Sequence, residues 1–330
     1  MNRLPHLQLG KRQLWLMASS LAFQLLTVSS EAQIVTLTHN NSVAQINTGG
    51  QAGMFNWSVD GTNQLSQQWF WYRVGAVVGE SSINTISAPS ITTPDARTLY
   101  LNYNNGAYGV EVDYLLTGCS AKSGMSAIQE TISITNATAS ALDFHFFEYA
   151  DFDAAGTAGN DVVQLGKSLG GLFNETKQSD NPVSIEVVAT PGANHGEAAL
   201  FNATLVKFNS ANPDSLNDNA GPVGPGDATS ALQWDLNIPP GSSVVIGKDF
   251  YLQARQTSPL LTITRTMTNT VAVSWPSSST GFSLQQNTNG VSSVNWSNAP
   301  GTIQDDGTTK TLIVNPPAGN RFYRLKTNIL

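Results

Sequence analysis

The densest collection of chemically capable side chains is Phe144-His145-Phe146-Phe147-Glu148-Tyr149-Ala150-Asp151-Phe152-Asp153. Successive side chains of a strand point to opposite faces, so as a strand this segment sets His145, Phe147, Tyr149, Asp151 and Asp153 on one face. Phe144, Phe146, Glu148, Ala150 and Phe152 take the other. Rings beside imidazole and carboxylate suit a carbohydrate or another polar ligand, which makes His145, Tyr149 and Asp151 candidates for binding. A central strand with one partly solvated face has the same pattern. Trp69-Phe70-Trp71-Tyr72, followed by Arg73, is the second aromatic cluster. Its two readings are a strand covered on both sides and a tryptophan face, Trp69 with Trp71, that stacks a sugar, with Arg73 against a ring.

Carboxylates offer two further chemistries. Asp151 and Asp153 lead into a Gly-containing loop that reaches Asp161, an oxygen-rich stretch that calcium could use. An EF-hand is excluded, because Ala155 and Val162 stand where it needs a fifth-position donor and a twelfth-position Glu. The alternative is an acidic turn capped by its own side chains. Glu130 and Glu148 form the other pair. If 128–134 and 142–152 make a hairpin joined by 136–141, pairing Ile134 with Phe144 puts Glu130 opposite Glu148. Directly paired residues have Cβ atoms about 4.5–5.5 Å apart, near the roughly 5 Å carboxyl separation of retaining glycosidases. Facing like charges also destabilise a sheet, so no catalytic residue is assigned.

Other constellations are missing. There is no G-x-S-x-G elbow and no phosphate loop. Cys119 is the only cysteine, which excludes an internal disulfide and a zinc-type thiolate cluster. The histidines after the leader, His39, His145 and His195, stand far apart and show no metal-binding spacing. Apart from calcium, no cofactor is implied.

The elements that must position these groups are strands. Apolar residues alternate in short runs bounded by Gly, Pro, Asn and Ser. Thr98 to Tyr103, Asn104-Asn105-Gly106 and Tyr108 to Leu116 form the clearest hairpin. Ala198 to Phe208 and Leu232 to Ile238 also read as strands, and no amphipathic helix is evident beyond the leader. That leader, residues 1–32, has Arg3, Lys11 and Arg12 before an apolar run from Leu14 to Val28, then Ser30-Glu31-Ala32. It reads as an export signal, so the protein is expected to be secreted or on the cell surface, with no membrane insertion after cleavage. Only 12% of the residues are charged, while Ser, Thr and Asn number 33, 31 and 29. Net charge is −7 with no basic block, which argues against a nucleic-acid partner. The expected architecture is all-β: a large antiparallel β-sandwich over 33–256, then a small module over 257–330, which opens a stretch, 266–304, without a charged residue.

Within that module, Val271-Ala272-Val273-Ser274-Trp275-Pro276 and Gly281-Phe282-Ser283-Leu284-Gln285 resemble the B and C strands of fibronectin type III domains. The resemblance implies a small Ig-like or fibronectin type III-like sandwich, although the chain stops after Tyr323-Arg324-Leu325 with no room for a last strand. With Trp296, Asp305-Asp306-Gly307 and Asn320-Arg321-Phe322, this stretch is similar to tail modules of exported bacterial proteins. Residues 34–255, through Gln68 to Arg73 and Phe144 to Phe147, resemble uncharacterised exported bacterial proteins. The expected function is therefore a non-catalytic binding or structural role at the cell exterior, in contact with glycan or matrix. The alternative is an extracellular polysaccharide-acting hydrolase using paired carboxylates.

Overall fold

The computed structural model describes residues 33–254, 259–277, 279, 282–292 and 294–327. The expected leader, and 255–258 at the expected boundary, lie outside the described residues.

The described chain is all-β. One large sheet has the strand order Ile34–His39, Ser42–Asn47, Gly53–Val59, Gln67–Val74, Leu142–Asp151, Ala228–Ile238 and His195–Leu200. The other runs Val223–Gly226, Asp161–Lys167, Phe173–Asp180, Val183–Ala193, Ser243–Ala254, Met125–Asn136, Tyr108–Gly118, Thr98–Asn104 and Ser90–Asp95. Pairing is antiparallel except where Gly53–Val59 meets Gln67–Val74. The expected hairpin of Thr98–Asn104 with Tyr108–Gly118 is present, and Gly106 takes the positive φ of 87° that its turn requires.

Alternation sorts each strand between core and exterior. In Met125–Asn136, Ile128, Glu130, Ile132 and Ile134 are buried, whereas Gln129 and Thr131 are exposed. These side chains meet the inner face of the first sheet, where Phe70 stacks on Phe146 at 5.4 Å between ring centres and Phe146 lies 6.0 Å from Trp234. Trp57 and Phe152 of the first sheet's side set their rings 6.4 and 6.2 Å from Phe250 of the second. Each fully buried side chain of this kind contributes roughly 1.5–3 kcal/mol, which explains why the described chain forms this core without a disulfide.

Two expectations need correction here. Met125–Asn136 and Leu142–Asp151 do not form a hairpin, because they belong to different sheets. Their connection crosses between layers, held by Asn136, whose Nδ2 donates to Ser140 O and Ile238 O at 2.8 and 2.9 Å. The two apolar faces do meet, but across the core instead of side by side. Glu130 and Glu148 consequently also meet. Lys248, paired directly with Glu130 in the second sheet, donates from Nζ to Glu130 Oε2 at 2.8 Å and to Glu148 Oε1. Gln68 Nε2 donates to Glu148 Oε1 at 3.1 Å. All four side chains are buried.

The second correction concerns 198–208. The strand His195–Leu200 ends early and the chain turns into helix Ala203–Phe208, whose buried Thr204 and Phe208 are four residues apart and so share a face. Phe208 stacks on Trp71 at 5.3 Å and lies 5.3 Å from Phe147, roofing the outer face of the first sheet. Glu197 anchors this roof by accepting from Thr204 Oγ1 at 2.7 Å, from the Asn217 amide at 3.0 Å and from Lys207.

After residue 258 the strands form a four-stranded and a three-stranded antiparallel sheet around a separate small core of Val273, Trp275, Leu284 and Leu312.

Breaking a buried ion pair by removing one partner costs about 3–5 kcal/mol, whereas replacing a whole buried cluster by apolar groups is often neutral. Lys248→Met should therefore lose about that much stability in urea unfolding, and the triple change Lys248→Met, Glu130→Gln, Glu148→Gln should regain most of it. Equal loss in both variants would mean that Lys248 matters through packing alone.

Candidate active site

Across Gln67–Val74, Leu142–Asp151, Ala228–Ile238 and His195–Leu200 the outer face of the first sheet is largely buried, but one end is not. Across four neighbouring strands, Arg73, His145 and Asp235 fall in one register row, with Gln233 and His195 paired one step along. His145 Nδ1 lies 2.5 Å from Asp235 Oδ1, and His195 Nε2 lies 3.4 Å from Asp235 Oδ2. One carboxylate thus bridges two imidazoles. On their far sides, His145 Nε2 is 3.5 Å from Asp143 and His195 Nδ1 is 3.1 Å from Asp218. The side chains of His145, Asp235 and His195 are 15%, 31% and 36% exposed, so the group grades from the protein interior to solvent.

The supports of Asp235 come from the roof as well as the sheet. Gln233 Nε2 donates to Asp235 Oδ1 at 2.8 Å while its Oε1 accepts from the Leu216 amide at 3.0 Å, and the Asp235 amide donates to Asn194 Oδ1 at 2.9 Å. Burial by itself would raise the Asp235 carboxyl. Hydrogen bonds from Gln233 and His145, with the charges of both imidazoles, outweigh burial and hold it below the usual carboxylate value. Arg73 is buried and committed to Glu80, the Asp214 carbonyl and the Gly75 carbonyl. It is a fixed wall of the row and is not free to bind an anion.

Imidazole is the side chain that most readily exchanges a proton near neutral pH. Two of them fixed on one carboxylate can do general acid and base work together.

The side chains singled out in the sequence are divided by this geometry. His145 belongs to the open row. Trp69, Trp71 and Tyr149 are fully buried, Trp71 and Tyr149 packed edge to face at 6.3 Å, and they present no surface to a ligand. Asp151 is buried at the opposite end of the same strand, with Asp153 close by. Glu130 and Glu148 are sealed in the core with Lys248 between them. Burial pushes the Glu130 carboxyl up, to about 7, against the lowering influence of Lys248. Asp235, His195 and Asp218 were not singled out by the sequence. Gln233 and Asp235 do alternate with Leu232, Trp234 and Leu236, a polar face that parity alone could have marked. Three surface depressions lie elsewhere, one beside Ile34 and Asp95, one over Tyr100, Asp113, Gln129 and Asp249 with the buried Glu130 and Lys248 beneath it, and one beside Asn181 and Pro182; none of the three is lined by a histidine.

No family model and no curated protein matches the chain. Among solved structures, it is similar to a putative aldose 1-epimerase from Escherichia coli, at 12% identity and TM-score 0.45, over 67% of this chain and 99% of that one. A galactose mutarotase-like protein from Lactobacillus casei matches at 8% identity and TM-score 0.42, over 67% of this chain and all of the other. A bacterial glucoamylase matches at 10% identity and TM-score 0.47, over 68% of this chain but only 32% of its own. The comparisons return mutarotase-like folds in place of the expected fibronectin type III, Ig-like or exported surface-protein resemblance. The expectation of a non-catalytic binding or structural protein finds no counterpart among these neighbours either, which are named as an epimerase, a mutarotase-like protein and a glucoamylase.

The depressed Asp235 carboxyl has a consequence for stability. Its folded-state value lies below the unfolded one near 3.9, so its contribution is present above about pH 4 and is lost as pH falls through the folded value. Asp235→Asn should melt below the parent at pH 5, and the gap should narrow as the pH is taken below the unfolded carboxylate value. A gap independent of pH would show that Asp235 is held by contacts that do not need its charge.

Proposed function

We propose that this chain is a carbohydrate-active enzyme that moves protons on a neutral sugar, with His145 and His195 as the acid–base pair and Asp235 as the group that orients both. The observation that carries this reading is the single carboxylate shared by two imidazoles at the open end of an otherwise roofed sheet face. Asp143 and Asp218, the outer partners of the two rings, are 61% and 44% exposed and can give way to substrate hydroxyls.

The local charge argues for a neutral substrate. Asp143, Asp218 and Asp235 surround the two rings, and the nearby guanidinium is already spent on Glu80. A phosphorylated or carboxylated substrate would meet repulsion there. A polyhydroxyl compound finds acceptors in the carboxylates and both an acceptor and donors in the exposed Asn194.

The simplest reaction for such a pair is opening of a hemiacetal ring. The neutral imidazole takes the proton of the anomeric hydroxyl as the C1–O5 bond breaks, and the imidazolium protonates the departing ring oxygen. The free aldehyde then closes from either face with the two proton transfers reversed, so protons and electron pairs balance and no other reactant is consumed. Hydrolysis through Glu130 and Glu148 lacks this support, because no substrate reaches them.

Polarimetry of freshly dissolved single anomers of common aldoses tests the reading. The protein should speed equilibration over buffer, and His145→Asn or His195→Asn should cut that acceleration by about 100-fold or more with the circular dichroism spectrum unchanged. No acceleration by the parent across the panel would refute it.

A further inference from the structure

At the far end of strand Leu142–Asp151, six residues and about 20 Å from His145, carboxylates converge from three segments. Asp151 ends that strand, Asp153 begins the turn after it, and Asp227 joins Val223–Gly226 to Ala228–Ile238. One oxygen of each lies within 4.8 Å of the others. Calcium holds its oxygens at 2.3–2.6 Å, so donors on opposite sides of one ion are about 5 Å apart. The spread of these three suits a single ion.

A second observation points into the same place. Asp161 is completely buried, and neither of its carboxylate oxygens meets a donor in full hydrogen-bond geometry, the Gln178 amide and the Ala154 N–H standing near enough only to offset burial in part. It pairs across strands with Gly226, the residue before Asp227, and Asp153 is near enough for its charge to be felt. Asp151 is also buried, with Oδ1 unpartnered. An unpaired buried carboxylate is costly, and here two stand beside two more. Burial foremost, and the neighbouring carboxylates with it, raise Asp151 and Asp161 to about 7. No cationic side chain is among the groups that shift any of the four. The fold thus gathers negative charge that a cation could neutralise.

We propose that Asp151, Asp153 and Asp227 bind one calcium ion, with Asp161 completing the negative charge behind it. All the donors are hard oxygens, without imidazole or thiolate, which favours calcium over zinc or copper. Asp153 and Asp227 are half-buried, leaving a route from solvent and room for water among the six to eight ligands. The ion ties the end of the central strand of the first sheet to the segment that carries the chain out of the second, so its binding stabilises the fold.

The test uses the full chain freed of metal with a chelator. Equilibrium dialysis with calcium-45 should give one ion per chain, and saturating calcium should raise the melting temperature by at least about 4 °C. In the double variant Asp153→Asn, Asp227→Asn the rise should vanish, while the metal-free variant melts no lower than the metal-free parent, because two repelling charges are gone. Absence of bound calcium-45 in the parent would overturn the proposal without recourse to any variant. So would an undiminished calcium response in the double variant, or a response to magnesium and none to calcium.

Discussion

One buried ammonium sets the relation between the two large sheets. Lys248 holds Glu130 from its own sheet and Glu148 from the facing one, with Gln68 closing the group. Such a cluster adds little net stability over an apolar equivalent, but it penalises arrangements that leave a member unpaired. Side chains alternate with a period of two, so a one-residue slip of strand Leu142–Asp151 would carry Glu148 to the outer face and His145 into the core. The ion cluster and the imidazole are thus alternatives at one register, and the buried charges decide which of them faces the open row.

The outer face is finished by a different device. The roof of Phe208 and its helix covers Trp71 and Phe147, and Glu197 fixes both the helix and the following loop. Gln233 then joins that loop to Asp235. The partly solvated row of His145, Asp235 and His195 therefore rests on a rigid sheet and is oriented from the side by the roof. Aromatic bulk confers rigidity on this face, and its polar end is left for chemistry.

Local pattern carried much of the fold and part of the site. Alternation through 142–153 correctly divided His145, Phe147, Tyr149 and Asp151 from Phe144, Phe146 and Glu148, because parity within a strand needs no tertiary information. The apolar residues on both faces of 69–72 did read as a strand covered on both sides, as Trp69 and Trp71 are; what covers them was not legible, since the helix Ala203–Phe208 is too short to show a helical period and reads as a continuation of the preceding strand. The meeting of Glu130 with Glu148 was expected through a hairpin and occurs across the core. Parity brings apolar faces together in either topology, and it does not distinguish a turn from a layer crossing. His195 and Asp235 are 50 and 90 residues from His145 in sequence, and only the order of strands in the sheet makes them neighbours. The same holds for Asp227 beside Asp151. The Trp-ended strand Val271–Pro276 is a pattern that packed β-sheets share widely, which is why it suggested a family that the fold comparisons do not bear out.

On the proposed function, His145 and His195 act on a sugar as one unit joined by Asp235. Nitrogen-15 NMR of the histidine side chains during titration with a neutral aldose addresses it most directly. The ring nitrogens of both residues should shift together on one binding curve, and in Asp235→Asn the two responses should separate or disappear. Sugar binding that leaves both imidazoles unmoved, or moves them independently in the parent, would contradict it.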